Sequence, residues 1–191
     1  MRLKLALIAL LCAGGSAHAD PTAAGLPAGF TFSEYTGTAP VGSGQVDSSG
    51  HLYFLDEKTV GGVKSWYIFF DPARAQGITA TITFDMPIVD VLRTRPTLDA
   101  SNPTYGIDID GDGVFDDYTS SLLIAPEPGD TTTFAIGSNT LTIDWLTVDP
   151  GDHIRVLTAV PEPGTFALLA TGLAALGWSS RRAAGRPRAA R

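Results

Sequence analysis

Cysteine is almost absent: one residue, Cys12, in 191. A lone thiol closes no intrachain disulfide and builds no paired-thiolate metal site. Histidine is nearly as scarce, with three, and no H-E-x-x-H or close His pair is present to hold zinc. No G-x-S-x-G elbow, P-loop or dinucleotide fingerprint occurs either. Charged residues make 17% of the chain, against about 25% in ordinary globular domains. The bases are missing from the middle in particular. Residues 20–160 hold 19 of the 20 acids and 6 of the 13 bases, a balance of −13. Such a body repels phosphate backbones, which argues against nucleic acid as a partner. The length suits one domain with processing signals.

What is present is sorted to the ends. Arg2 and Lys4 precede the apolar run Leu5–Cys12, and small residues then lead to Ala17-His18-Ala19. Basic start, short apolar core and A-x-A site make residues 1–19 a secretory signal peptide. Signal peptidase is expected to cut between Ala19 and Asp20. A lipoprotein reading of Cys12 is disfavoured by Leu10-Leu11 before it. After cleavage no cysteine remains. An exported chain without disulfides must be held by its core or by a metal.

At the other end, residues 160–191, Pro161-Glu162-Pro163 is followed by an uncharged apolar stretch over 165–180. Arg181, Arg182, Arg186, Arg188 and Arg191 close the chain. Sixteen residues form a helix of about 24 Å, short of a ~30 Å hydrocarbon core. The arginines directly after it are those of a cytoplasmic stop signal, so a transmembrane helix is expected.

These three parts in this order resemble the PEP-CTERM sorting signal of Gram-negative bacteria. The resemblance implies exosortase, an integral-membrane protease-transpeptidase, as processing partner. It also implies an inner-membrane intermediate, with Arg181 and Arg182 as the tail anchor. From there the chain passes to the cell surface or the biofilm matrix, in a host that makes exopolysaccharide. Pro126-Glu127-Pro128-Gly129 repeats the tetrapeptide, but Asp130-Thr131-Thr132-Thr133 follows it instead of an apolar run. That copy is expected to be an ordinary loop.

Residues 20–159 show short runs of Val, Ile, Thr, Phe and Tyr between Gly, Pro, Asp and Ser clusters, the strand-and-turn signature. Strands are expected near 30–35, 52–56, 65–70, 78–84, 88–94, 122–125, 132–136, 141–148 and 154–158, with almost no helix. Residues 79–84 (TATITF) and 140–145 (TLTIDW) alternate polar with apolar, so each should keep one wet face. The expected fold is an all-β antiparallel sandwich, jelly-roll-like or immunoglobulin-like. Trp66, Phe69, Phe84, Phe134 and Trp145 are its core candidates.

One constellation carries chemistry. Asp108, Asp110, Asp112, Asp116 and Asp117 place five carboxylates in ten residues. Calcium takes six to eight oxygen ligands, and a D-x-D-x-D-G loop folds around the ion to supply them. Asp108, Asp110 and Asp112 hold loop positions 1, 3 and 5, the Val114 carbonyl position 7 and Asp116 position 9. The run resembles the calcium loops of EF-hands, dockerins and thrombospondin type 3 repeats, which implies Ca2+ as a weakly held cofactor. It departs from the EF-hand at position 12, where Thr119 stands, and Asp117 is the substitute carboxylate. A solvated acidic turn is the alternative.

Three functions follow: a non-enzymatic surface or matrix protein, an exopolysaccharide-binding module, or a secreted hydrolase. The first is preferred, because no catalytic motif is present. The second would need exposed aromatics, with Trp66, Tyr67, Tyr105 and Tyr118 as candidates.

Overall fold

The computed structural model describes residues 18–118 and 125–160. Nine strands and one helix follow in order: β1 (Thr22–Ala24), β2 (Thr31–Glu34), β3 (His51–Val60), β4 (Val63–Phe70), β5 (Gln76–Thr83), β6 (Ile88–Leu92), α1 (Arg95–Tyr105), β7 (Thr131–Phe134), β8 (Thr140–Thr147) and β9 (Asp152–Ala159). They form a four-stranded sheet, β1-β5-β8-β7, and a five-stranded sheet, β2-β3-β4-β9-β6. All neighbours are antiparallel except β2 on β3, a parallel pair at one edge. The all-β sandwich expected from the strand pattern is what forms.

The two alternating segments behave as their period dictates. Ile78, Ala80 and Ile82 of β5 and Leu141, Ile143 and Trp145 of β8 point inward, while Thr79, Thr81, Thr140, Thr142 and Asp144 face solvent. Across the core they meet Leu52 and Phe54 of β3, Trp66, Ile68 and Phe70 of β4, and Ile154 and Val156 of β9. Of the core candidates, Trp66, Phe84 and Trp145 lie in this cluster, with Phe134 half-buried against it.

β4 and β9 are buried on both faces, because a second layer covers the outside of the five-stranded sheet. Leu55, Tyr67 and Phe69 pack there against Val41 and against Leu98 of α1. α1 is the element that the sequence hides. Leu98 is its one buried apolar residue, and Pro96 and Pro103 both fall within its span. A helix with so narrow an apolar stripe shows no 3.6-residue period. Local chemistry starts it: the Thr94 N–H donates to Thr97 Oγ1 at 3.3 Å, and Pro96 stands in the first turn, where a missing N–H costs nothing.

Buried polar groups fasten α1 to the sheet. Arg155 of β9 donates Nε to Glu57 Oε2 and Nη2 to Glu57 Oε1, both at 2.7 Å. Its remaining N–H groups reach Leu98 O, Ser101 Oγ and Asn102 Oδ1, all on α1. All five guanidinium donors therefore have acceptors. Ser65 Oγ adds a bond to Glu57 Oε2 at 2.6 Å.

Candidate functional site: an acidic loop beside the outer layer

The loop from Asp108 to Asp117 follows α1 and curls on its own aspartates. Asp108 accepts from Gly111 N (Oδ1, 2.7 Å) and from Gly113 N (Oδ2, 2.9 Å). Asp110 accepts from Asp112 N, and Asp112 from Val114 N. Such side-chain-to-backbone turns are what closely spaced Asp and Gly favour. Gly111 and Gly113, at φ 76° and 84°, make the reversals. The curl brings carboxylate oxygens of Asp108, Asp110 and Asp117 within 4.8 Å of one another. Asp112 and Asp116, both exposed, do not join that group, and Val114 is exposed as well. The sequence spacing assigned Asp112 loop position 5 and Asp117 the substitute carboxylate; of these two, Asp117 converges with Asp108 and Asp110. Thr119 lies outside the described residues.

Asp117 differs from the rest of the loop. It is 1% exposed; Oδ2 accepts Ile109 N at 2.7 Å, and Oδ1 has no hydrogen-bond partner. Burial pushes its pKa up, the charges of Asp110, Asp108 and Asp116 add to this, and the Ile109 N–H opposes it. Its backbone is held as well, since Val41 N donates to Asp117 O at 2.9 Å. Next to it, Tyr118 packs edge-on against Tyr67 at 5.2 Å and lies 5.5 Å from the Arg155 guanidinium. The loop thus ends on the buried Glu57–Arg155 pair, which keeps Asp117 in place. Asp108, Asp110 and Asp117 are the residues here that could hold a hard divalent cation, and one of the three is buried with an unpaired oxygen.

The other candidates divide clearly. His51 is exposed, bonded to Thr31 and stacked on Tyr53. His153 is buried and stacked on Phe69 at 5.4 Å; burial lowers its pKa to about 4, against a hydrogen bond to Pro150 O. Trp66 and Tyr67 belong to the interior, so neither is available as an aromatic surface; Tyr105 and Tyr118 are half-buried. Pro126–Gly129 is a loop, as its lack of a following apolar run requires, tied by Glu127 N to Asp130 Oδ2 at 2.9 Å. Glu127 and Pro128 line a cavity of about 460 Å3 with Asp144 and Leu146. Trp145 also borders it but is 1% exposed, so it offers no stacking face.

Ala19 and Asp20 are exposed just ahead of β1. The segment 1–17, residues 122–124 of the strand expected at 122–125, Pro161-Glu162-Pro163, the apolar stretch 165–180 and the arginines from Arg181 lie outside the described residues. Among the described residues no helix is long and apolar enough to cross a membrane.

Comparison with known proteins bears on the tail. No curated protein and no solved structure matches the chain. The family model of the PEP-CTERM protein-sorting motif matches residues 159–182, from the last residue of β9 through Arg182. The tail is therefore a PEP-CTERM sorting signal, which marks an exported, cell-surface-directed protein with exosortase as its processing partner.

Proposed function

We propose that the sandwich is a non-enzymatic surface or biofilm-matrix module whose acidic loop is locked by Ca2+. In this reading signal peptidase cuts between Ala19 and Asp20, which leaves β1 whole. The tail then holds the chain in the inner membrane, with Arg181 and Arg182 cytoplasmic and Glu162 periplasmic, until exosortase acts. The destination is the exopolysaccharide matrix.

One observation carries the calcium reading: Asp117 Oδ1, buried and without a partner, beside Asp108 and Asp110. A buried carboxylate oxygen left unsatisfied is costly, and a cation with several oxygen ligands removes that cost. Backbone carbonyls and water would supply the ligands beyond these three carboxylates. The body, residues 20–160, contains no cysteine, so a metal clamp also suits an exported fold.

The test is thermal unfolding of the purified chain in millimolar calcium and in chelator. Ligand that binds only the folded state stabilises it by about 1.4–2.7 kcal/mol at ten to a hundred times Kd. At this size that is a rise of a few degrees. Magnesium should give less, because it keeps its water and demands octahedral geometry. Asp117→Asn and Asp108→Ala should remove the calcium-dependent rise. Asp130→Ala should keep it, since Asp130 bonds Glu127 N and Leu146 N outside the loop. Equal melting in calcium and chelator for the unaltered chain would overturn the proposal.

A further inference from the structure

The cavity beside the Pro126–Gly129 loop lies on the outer face of the four-stranded sheet. Its floor is a cross-strand pair, Gly77 of β5 opposite Leu146 of β8. Both face solvent, and Leu146 is 64% exposed. Glu127, Pro128 and Gly129 form the wall. Asp130 pins that wall to the floor: Oδ2 accepts Glu127 N at 2.9 Å and Oδ1 accepts Leu146 N at 2.6 Å. The backbone does not require glycine at position 77, where a Cβ would meet nothing nearer than Trp145 O at 3.8 Å. What the missing side chain leaves is room. The cavity, about 460 Å3, falls within the ~300–1,000 Å3 of small-ligand sites.

Asp144 stands at the edge of this cavity, in register between Thr79 of β5 and Thr131 of β7. The next row along the strands is Thr81, Thr142 and Thr133, all exposed, with the Thr81 and Thr142 hydroxyls 3.3 Å apart. The face that continues from the cavity is therefore flat, uncharged and covered with hydroxyls and methyls. Among the described residues no basic side chain lines the cavity, and no ion pair reaches Glu127 or Asp144. Nor do Glu127, Asp130 and Asp144 bring carboxylate oxygens within 4.8 Å of one another, as Asp108, Asp110 and Asp117 do. Carboxylates spread around a cavity do not enclose a metal ion; they suit a larger ligand with several spaced donors.

We propose that this cavity, continued by the threonine rows, binds a polysaccharide whose sugars carry free amino groups. An ammonium donates to Glu127 and Asp144, the sugar hydroxyls meet the threonines, and the C–H face of a ring rests on Leu146. Charge selects the class: a body with a balance of −13 repels uronate and sulfate polymers and draws a cationic one. A lysine peptide would match the charge alone. The hydroxyl rows match a sugar, which carries a donor and an acceptor at most of its ring carbons. The place where such a polymer is met rests on the matrix function proposed above, but the contact uses no residue of the acidic loop.

Isothermal titration calorimetry of the full chain with a glucosamine oligosaccharide tests this. Gly77→Val puts a strand-compatible side chain on the cavity floor at unchanged net charge, and should abolish binding. Asp144→Asn should weaken it about tenfold or more, the worth of one hydrogen bond to a charged group. Glu34→Gln removes a charge from the other sheet and should leave binding as it is. The N-acetylated oligosaccharide and a lysine oligopeptide of equal charge should both bind more weakly. Asp117→Asn should keep the sugar while losing the calcium-dependent rise, so the two readings fail separately. Should Gly77→Val give no cooperative unfolding, Glu127→Gln replaces it, with the same loss expected as for Asp144→Asn. No binding by the unaltered chain, unchanged binding by folded Gly77→Val, or equal binding of the lysine peptide overturns the proposal.

Discussion

The buried Glu57–Arg155 pair is the sharpest place to test how the acidic loop is held. Both side chains are fully buried, and their two bonds of 2.7 Å are the bidentate geometry that makes such pairs strong. Glu57→Gln keeps the volume but leaves the guanidinium as an uncompensated buried charge. Arg155→Met does the reverse to Glu57, and also strands Leu98 O, Ser101 and Asn102 on α1. Breaking a buried pair on one side costs about 3–5 kcal/mol, a large part of the ~5–15 kcal/mol that a domain has in total. At about 2–4 °C per kcal/mol, the melting temperature should fall on the order of 10 °C for either variant. The double variant Glu57→Leu/Arg155→Met removes both charges, and should recover most of the loss, since apolar replacement of such pairs is often neutral. Urea unfolding followed by tryptophan fluorescence reads this directly, because Trp66 and Trp145 are both buried. With Glu57→Leu as the matching single variant, the coupling from the double-mutant cycle should exceed about 3 kcal/mol. The same single variants should shrink the calcium-dependent stabilisation, because Tyr118, packed against Tyr67 and the Arg155 guanidinium, sits beside Asp117. Additive single and double effects, or single losses under about 1 kcal/mol, would refute the reasoning.

Two further expectations follow from other parts of the chain. Burial raises the Asp152 carboxyl to about 7, with Thr147 opposing and Asp130 and Glu127 adding, so the folded state holds a proton that the unfolded chain releases near 3.8. Asp152 should therefore add stability as pH falls from about 7 toward 4, a contribution that Asp152→Asn lacks; the wild-type-minus-variant difference should grow by roughly 4 kcal/mol between pH 8 and 4. Urea titrations at several pH values check this, and a pH-independent difference would exclude it. In a host with exosortase, deletion of Thr165–Arg191 should leave the protein unprocessed in the periplasm, while changes in Pro126-Glu127-Pro128 should not alter sorting. Fractionation and immunoblotting read both; equal surface display of deleted and intact chains would contradict the role of the tail.

The tail of this protein could be read from sequence alone because its function is linear. A sorting signal is recognised as a short motif, an apolar stretch and a basic terminus in order, and the match over 159–182 needs no folded neighbour. The strands β5 and β8 were equally legible, since one wet face imposes a period of two on the residues themselves. β4 and β9 could be recognised as strands, but not as strands covered twice. That second cover comes from α1 and the loops around Val41 and Ile109. α1 itself left no trace, because Leu98 and one arginine from a distant strand hold it rather than an apolar face. The acidic loop was visible as five close aspartates, yet which of them converge was decided by the reversals at Gly111 and Gly113 and by the burial of Asp117. Glu57 and Arg155 had no signature as a pair: 98 residues apart in the chain, they meet because β3 and β9 both flank β4. Local chemistry is written in local spacing; the meeting of distant charges is set by the packing of the two-layered sheet.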